Sequence, residues 1–158
     1  MKVLVVLGSG GHTAQMLRLV ELLGDRFEYE YLVGVGDELS LNKVKRRGEV
    51  FYAHKARSHG DNPAVVAFKM MRLFWESFRI FRKAKPTAVI SAGPGLAVPI
   101  SIVAKIFGKK VIFIESWSRV SKASSSGRII YRFADLFFIQ WPDLKKAYPK
   151  AIYKGRLL

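Results

Sequence analysis

The sequence predicts an α/β fold with a mostly parallel sheet and helices on both faces. Three observations carry this. Strand-like and helix-like segments alternate along the chain, which is the pattern of parallel strands joined by right-handed crossovers. The strands read as continuous apolar, β-branched runs, as expected when both faces of a sheet are covered. The residues unusual for a core gather just after those strands, where open parallel sheets bind ligands.

Residues 2–7 form the first strand. Residues 12–23 follow, with Met16, Leu17, Leu19, Val20 and Leu23 at helical spacing and Gly24 as a stop. Residues 27–35 read as a second strand, 39–47 as a short basic helix ended by Gly48, and 50–53 as a third strand. The segment 54–63 is a polar loop rich in turn formers. A long helix spans 64–85 and Pro86 closes it; residues 87–91 are a fourth strand and 96–107 an apolar helix ended by Gly108. Residues 110–114 are a fifth strand, 120–127 a loop and 128–133 a short helix. A sixth strand at 136–139, a helical segment at 144–148 and an edge strand at 151–153 complete the series. No repeat or linker interrupts it, so residues 1–158 are read as a single Rossmann-like domain.

Composition narrows the partners. The formal net charge is +15, from 27 Lys and Arg against 12 Asp and Glu. That favours an anionic partner, whether nucleic acid, anionic lipid or phosphorylated substrate, without choosing among them. The absence of cysteine excludes a disulfide framework and thiol catalysis and fits the cytosol. No stretch of about 18 uninterrupted apolar residues occurs, so no transmembrane helix is expected. The first apolar run ends in glycines, too short for the core of a signal peptide.

The segment Gly8-Ser9-Gly10-Gly11-His12-Thr13 lets the backbone turn sharply and approach a ligand. The helix that follows offers free N–H groups to an anion or a polar sugar. It is no P-loop, because no Gly-Lys-Ser/Thr follows, and Thr13 stands where a dinucleotide fingerprint needs a third glycine. A turn needed only for close packing is the alternative. His12 lies where the helix dipole favours neutral imidazole, the form a general base requires; a capping histidine is the plain reading. Glu115 ends a buried strand, a costly place for an unpaired carboxylate. It can orient His12 or an acceptor hydroxyl, act as the base, or sit in an ion pair with Arg119 or Arg128. Gly93-Pro94-Gly95 adds another tight turn, and Ser116 and Arg119 open a serine-rich tract able to wrap a diphosphate or simply to lie solvated.

The long helix carries more apolar residues than the roughly 100° stripe one core contact needs. Met70, Met71, Phe74, Trp75 and Phe78, with Arg82 and Lys83 near its end, suit contact with an anionic membrane surface. Burial on two sides at a subunit interface is the alternative.

With these residues placed, the chain resembles the Alg14 family of glycosyltransferase subunits and, more widely, the acceptor-binding halves of GT-B enzymes such as MurG. The resemblance runs over the whole chain. It rests on Gly8 to Thr13, Arg57-Ser58, Gly93-Pro94-Gly95, Val98-Pro99-Ile100, Glu115-Ser116, Arg119-Val120, Phe133-Ala134-Asp135, Gln140-Trp141-Pro142, and Tyr153 with Gly155-Arg156-Leu157. It implies a GT-B N-terminal half that binds a lipid-linked sugar acceptor at the cytoplasmic face of the cell membrane as a peripheral protein. An Alg13-like subunit would hold the UDP-sugar donor, and this chain would bind no cofactor tightly, no metal and no nucleic acid. By this resemblance His12 and Glu115 are the candidate catalytic residues of an inverting transfer, probed as base or acceptor contact. Acceptor and phosphate binding would fall to Gly8, Ser9, Gly10, Gly11, Thr13, Arg57, Gly93, Pro94, Gly95, Ser116 and Arg119. The first strand begins at residue 2, unlike members with a leading transmembrane helix; that resembles the bacterial and archaeal relatives and leaves GlcNAc, galactose and glucuronic acid open as donor sugars. Two other classes stand beside this one: a non-catalytic membrane anchor for the catalytic subunit, and a nucleotide- or nucleic-acid-binding Rossmann protein.

Overall fold

The computed structural model describes residues 1–55 and 62–157. Arg57 and Ser58 lie outside the described residues. The strands are β1 (Lys2–Val6), β2 (Glu28–Gly34), β3 (Val50–Ala53), β4 (Ala88–Ser91), β5 (Lys110–Ile114), β6 (Leu136–Ile139) and β7 (Ile152–Tyr153). The helices are α1 (Gly11–Leu23), α2 (Glu38–Leu41), α3 (Pro63–Ala84), α4 (Ala97–Ile106) and α5 (Ser125–Ile130). One 7-stranded sheet has the order β3-β2-β1-β4-β5-β6-β7, and every neighbouring pair in it is parallel.

Alternation along the strands builds two cores. Val3, Val5 and Leu7 pack with Met16 and Val20 of α1 on one face. Leu4 and Val6 pack with α3, α4 and α5 on the other. Covering both faces is why β1 reads as an unbroken apolar run. The connections leave β1 toward β2 and leave β4 toward β5, so the strand order reverses between β1 and β4. At such a switch point the two following loops part and open a crevice at the carboxyl ends.

Three elements differ from expectation. The basic helix expected over 39–47 is a single turn, Glu38–Leu41, capped by the Asp37 side chain. Beyond it the chain bonds to its surroundings instead. Lys45 reaches Glu21 at 2.7 Å, Arg46 pairs with Asp25, and the Arg46 carbonyl accepts the Tyr31 hydroxyl. Helix α5 starts three residues earlier than expected, because Ser124 caps it by accepting the Gly127 N–H at 2.9 Å. Gly127 is needed there for space: a Cβ would lie 2.4 Å from the Tyr148 hydroxyl and 2.5 Å from Glu115 Oε2. The segment expected as a helix over 144–148 is a 3-10 turn at Pro142–Lys146.

Helix α3 matches its expected span closely. Asn62 caps it by accepting the Val65 N–H at 2.9 Å, Pro63 occupies its first turn, and Lys85 closes it in the left-handed conformation. Among the described residues no helix is long and apolar enough to cross a membrane.

Candidate active site

Gly8 sits where β1 and β4 part. A Cβ on Gly8 would come within 2.6 Å of the Pro94 Cβ, so the two turns touch and only glycine fits. Gly10, at φ 65°, lets the chain swing into α1. Thr13 and Ser40 lock this turn from beneath. They lie 2.8 Å apart and direct their hydroxyl protons at the Gly8 carbonyl and the Asp37 carboxylate. Thr13 is buried and its hydroxyl is taken up in bracing the turn. The α1 N-terminus has no side-chain cap and keeps free N–H groups there.

His12 lines the crevice with Gly8, Ser9, Gly34, Asp37, Lys55, Gly93, Pro94, Gly95 and Leu96, around a cavity of about 390 Å³. Its Nδ1 is buried and makes no hydrogen bond among the described residues. Burial draws its pKa below the ordinary histidine value; the Ala92 backbone and the Glu115 charge oppose that, and Arg119 adds to it. The imidazole is therefore neutral at pH 7 and can accept a proton.

Glu115 stands elsewhere. It is fully buried, does not line this cavity, and has its carboxylate occupied. Oε1 accepts the Ser116 N–H at 2.9 Å, and Oε2 accepts Ser124 N–H at 3.2 Å, Ser124 Oγ at 3.0 Å and the Tyr148 hydroxyl at 2.7 Å. Neither Arg119 nor Arg128 pairs with it among the described ion pairs. Its backbone carbonyl accepts the amides of Gln15 and Gln140. The carboxylate ties β5 to the α5 cap at Ser124 and to Tyr148, the backbone carbonyl ties it to α1 through Gln15, and this environment suits a brace rather than a base.

The segment after β5 forms a neighbouring wall. Ser116 is buried and bonds Ser118 at 3.0 Å. Trp117 donates its N–H to Gln15, accepts the Trp141 indole at 2.7 Å, and lies so near α1 that a Cβ on Gly11 would be 3.2 Å from its Nε1. Arg119 is exposed and close enough to act on His12. Gln140, with Leu19, Ile114, Phe138 and the segment 154–157, lines a second hollow of about 220 Å³. The loops therefore meet on one edge but build two hollows. Asp37, Lys55, Gln15 and Tyr148 were not singled out as site residues from the sequence. A lone acid, a lysine before a polar loop and a helical glutamine carry no motif.

Helix α3 has two apolar faces. Leu73, Ser77, Ile80, Phe81 and Ala84 are buried against the core. Phe68, Met71 and Trp75 are 66%, 67% and 62% exposed. Phe78 continues this outer stripe, stacked on Trp75 at 5.9 Å, with Arg82 over its ring. Met70 and Phe74 are half-buried. Lys83 lies apart from the stripe, over Phe51 and paired with Glu49 at 2.6 Å.

A family model described as "Oligosaccharide biosynthesis protein Alg14 like" matches residues 3–157. The chain belongs to the Alg14 family. It is 35% identical over 180 residues to a human protein named UDP-N-acetylglucosamine transferase subunit ALG14, covering 100% of this chain and 83% of the relative. The protein of the same name from Schizosaccharomyces pombe is 33% identical over 175 residues, with 96% and 81% covered. Among solved structures, Acinetobacter baumannii MurG superposes with a TM-score of 0.74 at 19% identity, covering 98% of this chain and 44% of that one. Neisseria meningitidis UDP-GlcNAc 2-epimerase, bound to UDP-GlcNAc, gives a TM-score of 0.74 at 13% identity, covering 99% and 47%. This Alg14-family chain thus has the fold of one half of these longer chains. Among its described residues no group of three or more His, Asp or Glu is placed to hold a metal ion.

Proposed function

We propose that this chain is the acceptor-binding subunit of a two-component GT-B glycosyltransferase. The reaction moves a sugar, with GlcNAc the first candidate, from a UDP-sugar to a polyprenyl-pyrophosphate-linked acceptor. The observation that carries the reading is His12: a partly buried imidazole with depressed pKa, lining an open, glycine-floored crevice. Relatives named as UDP-N-acetylglucosamine transferase subunits support it.

In this mechanism the acceptor sugar lies in the crevice with its hydroxyl against His12. The imidazole takes the hydroxyl proton as the oxygen attacks the anomeric carbon of the donor. The bond from that carbon to the UDP oxygen breaks, UDP leaves with the electron pair, and the anomeric centre inverts. Ser9, the Gly93–Gly95 backbone and the free N–H groups of α1 orient the acceptor. Glu115 holds the segment that carries Arg119. The donor is held mainly by an Alg13-like partner, which forms the opposite wall, and no tightly bound cofactor is invoked. The exposed α3 stripe rests on the cytoplasmic membrane face, where the lipid-linked acceptor is found, and no nucleic acid takes part.

The test is co-expression with a donor-binding Rossmann partner, followed by transfer from a panel of UDP-sugars to a pyrophosphate-linked acceptor. Transfer by the complex, lost in His12→Ala, is expected. Transfer by this chain alone would overturn the two-component reading. Full activity in His12→Ala would leave only the anchoring role.

A further inference from the structure

A hydrogen-bonded clamp outside the crevice immediately precedes one residue that lines it. Glu76 of α3 accepts the His54 N–H through Oε2 at 2.8 Å, and its Oε1 lies 2.8 Å from the His54 ring Nδ1. A carboxylate only accepts, so Nδ1 carries the proton. Arg72 Nη2 lies 3.1 Å from Nδ1 and 3.0 Å from Nε2, of which only the unprotonated Nε2 can accept, while Arg72 Nε donates to Glu76 Oε1 at 2.9 Å. Every polar atom of the His54 ring is satisfied, and His54 is fixed through both ring and backbone. The next residue is Lys55. Its stem lies over Gly34, where a Cβ would be 3.4 Å from Lys55 Cε and 3.8 Å from Cγ. Its side chain lines the same crevice as His12.

Lys55 differs from most basic residues near acids in this protein. Lys45, Arg46, Lys83, Lys105 and Lys110 each pair with a carboxylate. Lys55 has no ion pair or hydrogen bond among the described residues, although Asp37 lines the same crevice. Both Asp37 oxygens are taken by Ser40, through its N–H at 3.2 Å and its hydroxyl at 2.8 Å. An unpaired ammonium in a concave site attracts a multiply charged anion, because the walls focus its field. A crevice of about 390 Å³ lies within the size range of small-ligand sites.

We infer that Lys55 is the cation that binds the pyrophosphate of the acceptor, and that Glu76 is a positioning residue that acts through His54 to hold Lys55 over Gly34. This rests on the reading of the crevice as the acceptor site. A pyrophosphate group has two sources in that reaction, the lipid-linked acceptor and the UDP-sugar, and the test separates them.

Binding of inorganic pyrophosphate to the full chain is measured by calorimetry, on variants whose thermal unfolding is followed in parallel. Lys55→Gln should weaken binding about tenfold, the scale of one charge-assisted contact, and Lys55→Arg should restore most of it. Glu76→Gln should weaken binding in the Lys55 protein and add nothing in the Lys55→Gln background, the mark of residues acting as one unit. In the co-expressed complex, Lys55→Gln should raise KM for the pyrophosphate-linked acceptor about tenfold and leave kcat and the donor KM unchanged. Unchanged pyrophosphate binding in Lys55→Gln, additive losses from the two substitutions, or a shift confined to the donor KM would each overturn the assignment. Lys55-dependent pyrophosphate binding with no sugar transfer from any donor would sink the functional reading while the phosphate subsite stood.

Discussion

Tyr148 donates its hydroxyl proton to Glu115 Oε2 across 2.7 Å, inside the protein. Burial, and then the hydrogen bond to Glu115 and its charge, hold the phenol far above its ordinary pKa, so it remains a donor at every physiological pH. Together with Ser116 and Ser124 it supplies the hydrogen bonds that make a buried carboxylate tolerable. Tyr148→Phe removes one of them and should cost about 1–3 kcal/mol of stability, read by denaturant unfolding. Glu115→Gln should cost at least as much, because its amide N–H groups then face donors. Tyr148→Phe should leave the acid limb of the transfer pH profile in place, and Glu115→Gln should move it only slightly to lower pH, because the Glu115 charge raises the His12 pKa; loss of the limb in Glu115→Gln would make Glu115 the base after all.

The glycines give a second prediction and show how far the sequence is legible. Gly127→Ala should prevent stable folding, since its Cβ would collide with Tyr148 and Glu115. Gly95→Ala should fold normally, because its Cβ would meet nothing within 4 Å, and should alter only the crevice floor. In the sequence Gly95 reads as part of a tight turn at the ligand edge, and Gly127 only as the end of a polar loop. The parallel sheet, the span of α3 and the crevice at Gly8, His12 and Gly93 followed from periodicity and turn chemistry, which are local. The brace at Glu115 did not, because its partners Ser124 and Tyr148 are distant in the chain. The clamp on His54 was hidden for the same reason, and the basic run at 43–47 was read as a helix because Glu21 and Asp25 act on it only in three dimensions.

Asp135 predicts a pH dependence of stability. Burial raises its pKa, but the Val111 N–H, Lys105 and Lys110 outweigh that and bring it down to about 2 from 3.8. A carboxyl with a depressed folded pKa stabilises above its unfolded pKa, and the gain is lost as pH falls through the folded value. Wild-type and Asp135→Asn should therefore differ by about 1–2 kcal/mol at pH 7, allowing for screening by solvent around the exposed lysines. The difference should shrink below pH 4 and vanish only as pH falls through about 2 and below it, which paired denaturant titrations would measure.

The outer face of α3 predicts lipid binding without a stability cost. Phe68, Met71 and Trp75 are exposed, so Phe68→Glu and Trp75→Glu remove little buried surface. Each should leave unfolding within about 0.5 kcal/mol of wild type. If the stripe enters the headgroup layer, each should lower binding to anionic vesicles at least tenfold, since a buried aromatic side chain contributes about 1.5–3 kcal/mol. Lys83→Gln is the control. Lys83 is paired with Glu49 away from the stripe, so vesicle binding should fall much less. Co-sedimentation of all three variants gives the comparison, and equal retention of binding by the aromatic variants would rule out the membrane role.

The acid limb of the transfer reaction should belong to His12. Burial lowers its pKa from 6.5, so the neutral, proton-accepting form prevails at pH 7 and through part of the range below 6.5. Activity should then be flat around neutrality and fall only as pH drops through a value under 6.5, where the imidazole charges and can no longer accept the hydroxyl proton. Arg119 contributes to the depression and Glu115 opposes it. Arg119→Gln should accordingly move the limb to higher pH, by less than one pH unit because Arg119 is solvent-exposed. His12→Gln should lower kcat/KM by about 100- to 10,000-fold, the range of general base catalysis, and erase the limb. A wild-type limb centred above 6.5, or one that persists in His12→Gln, would assign the proton transfer to another group.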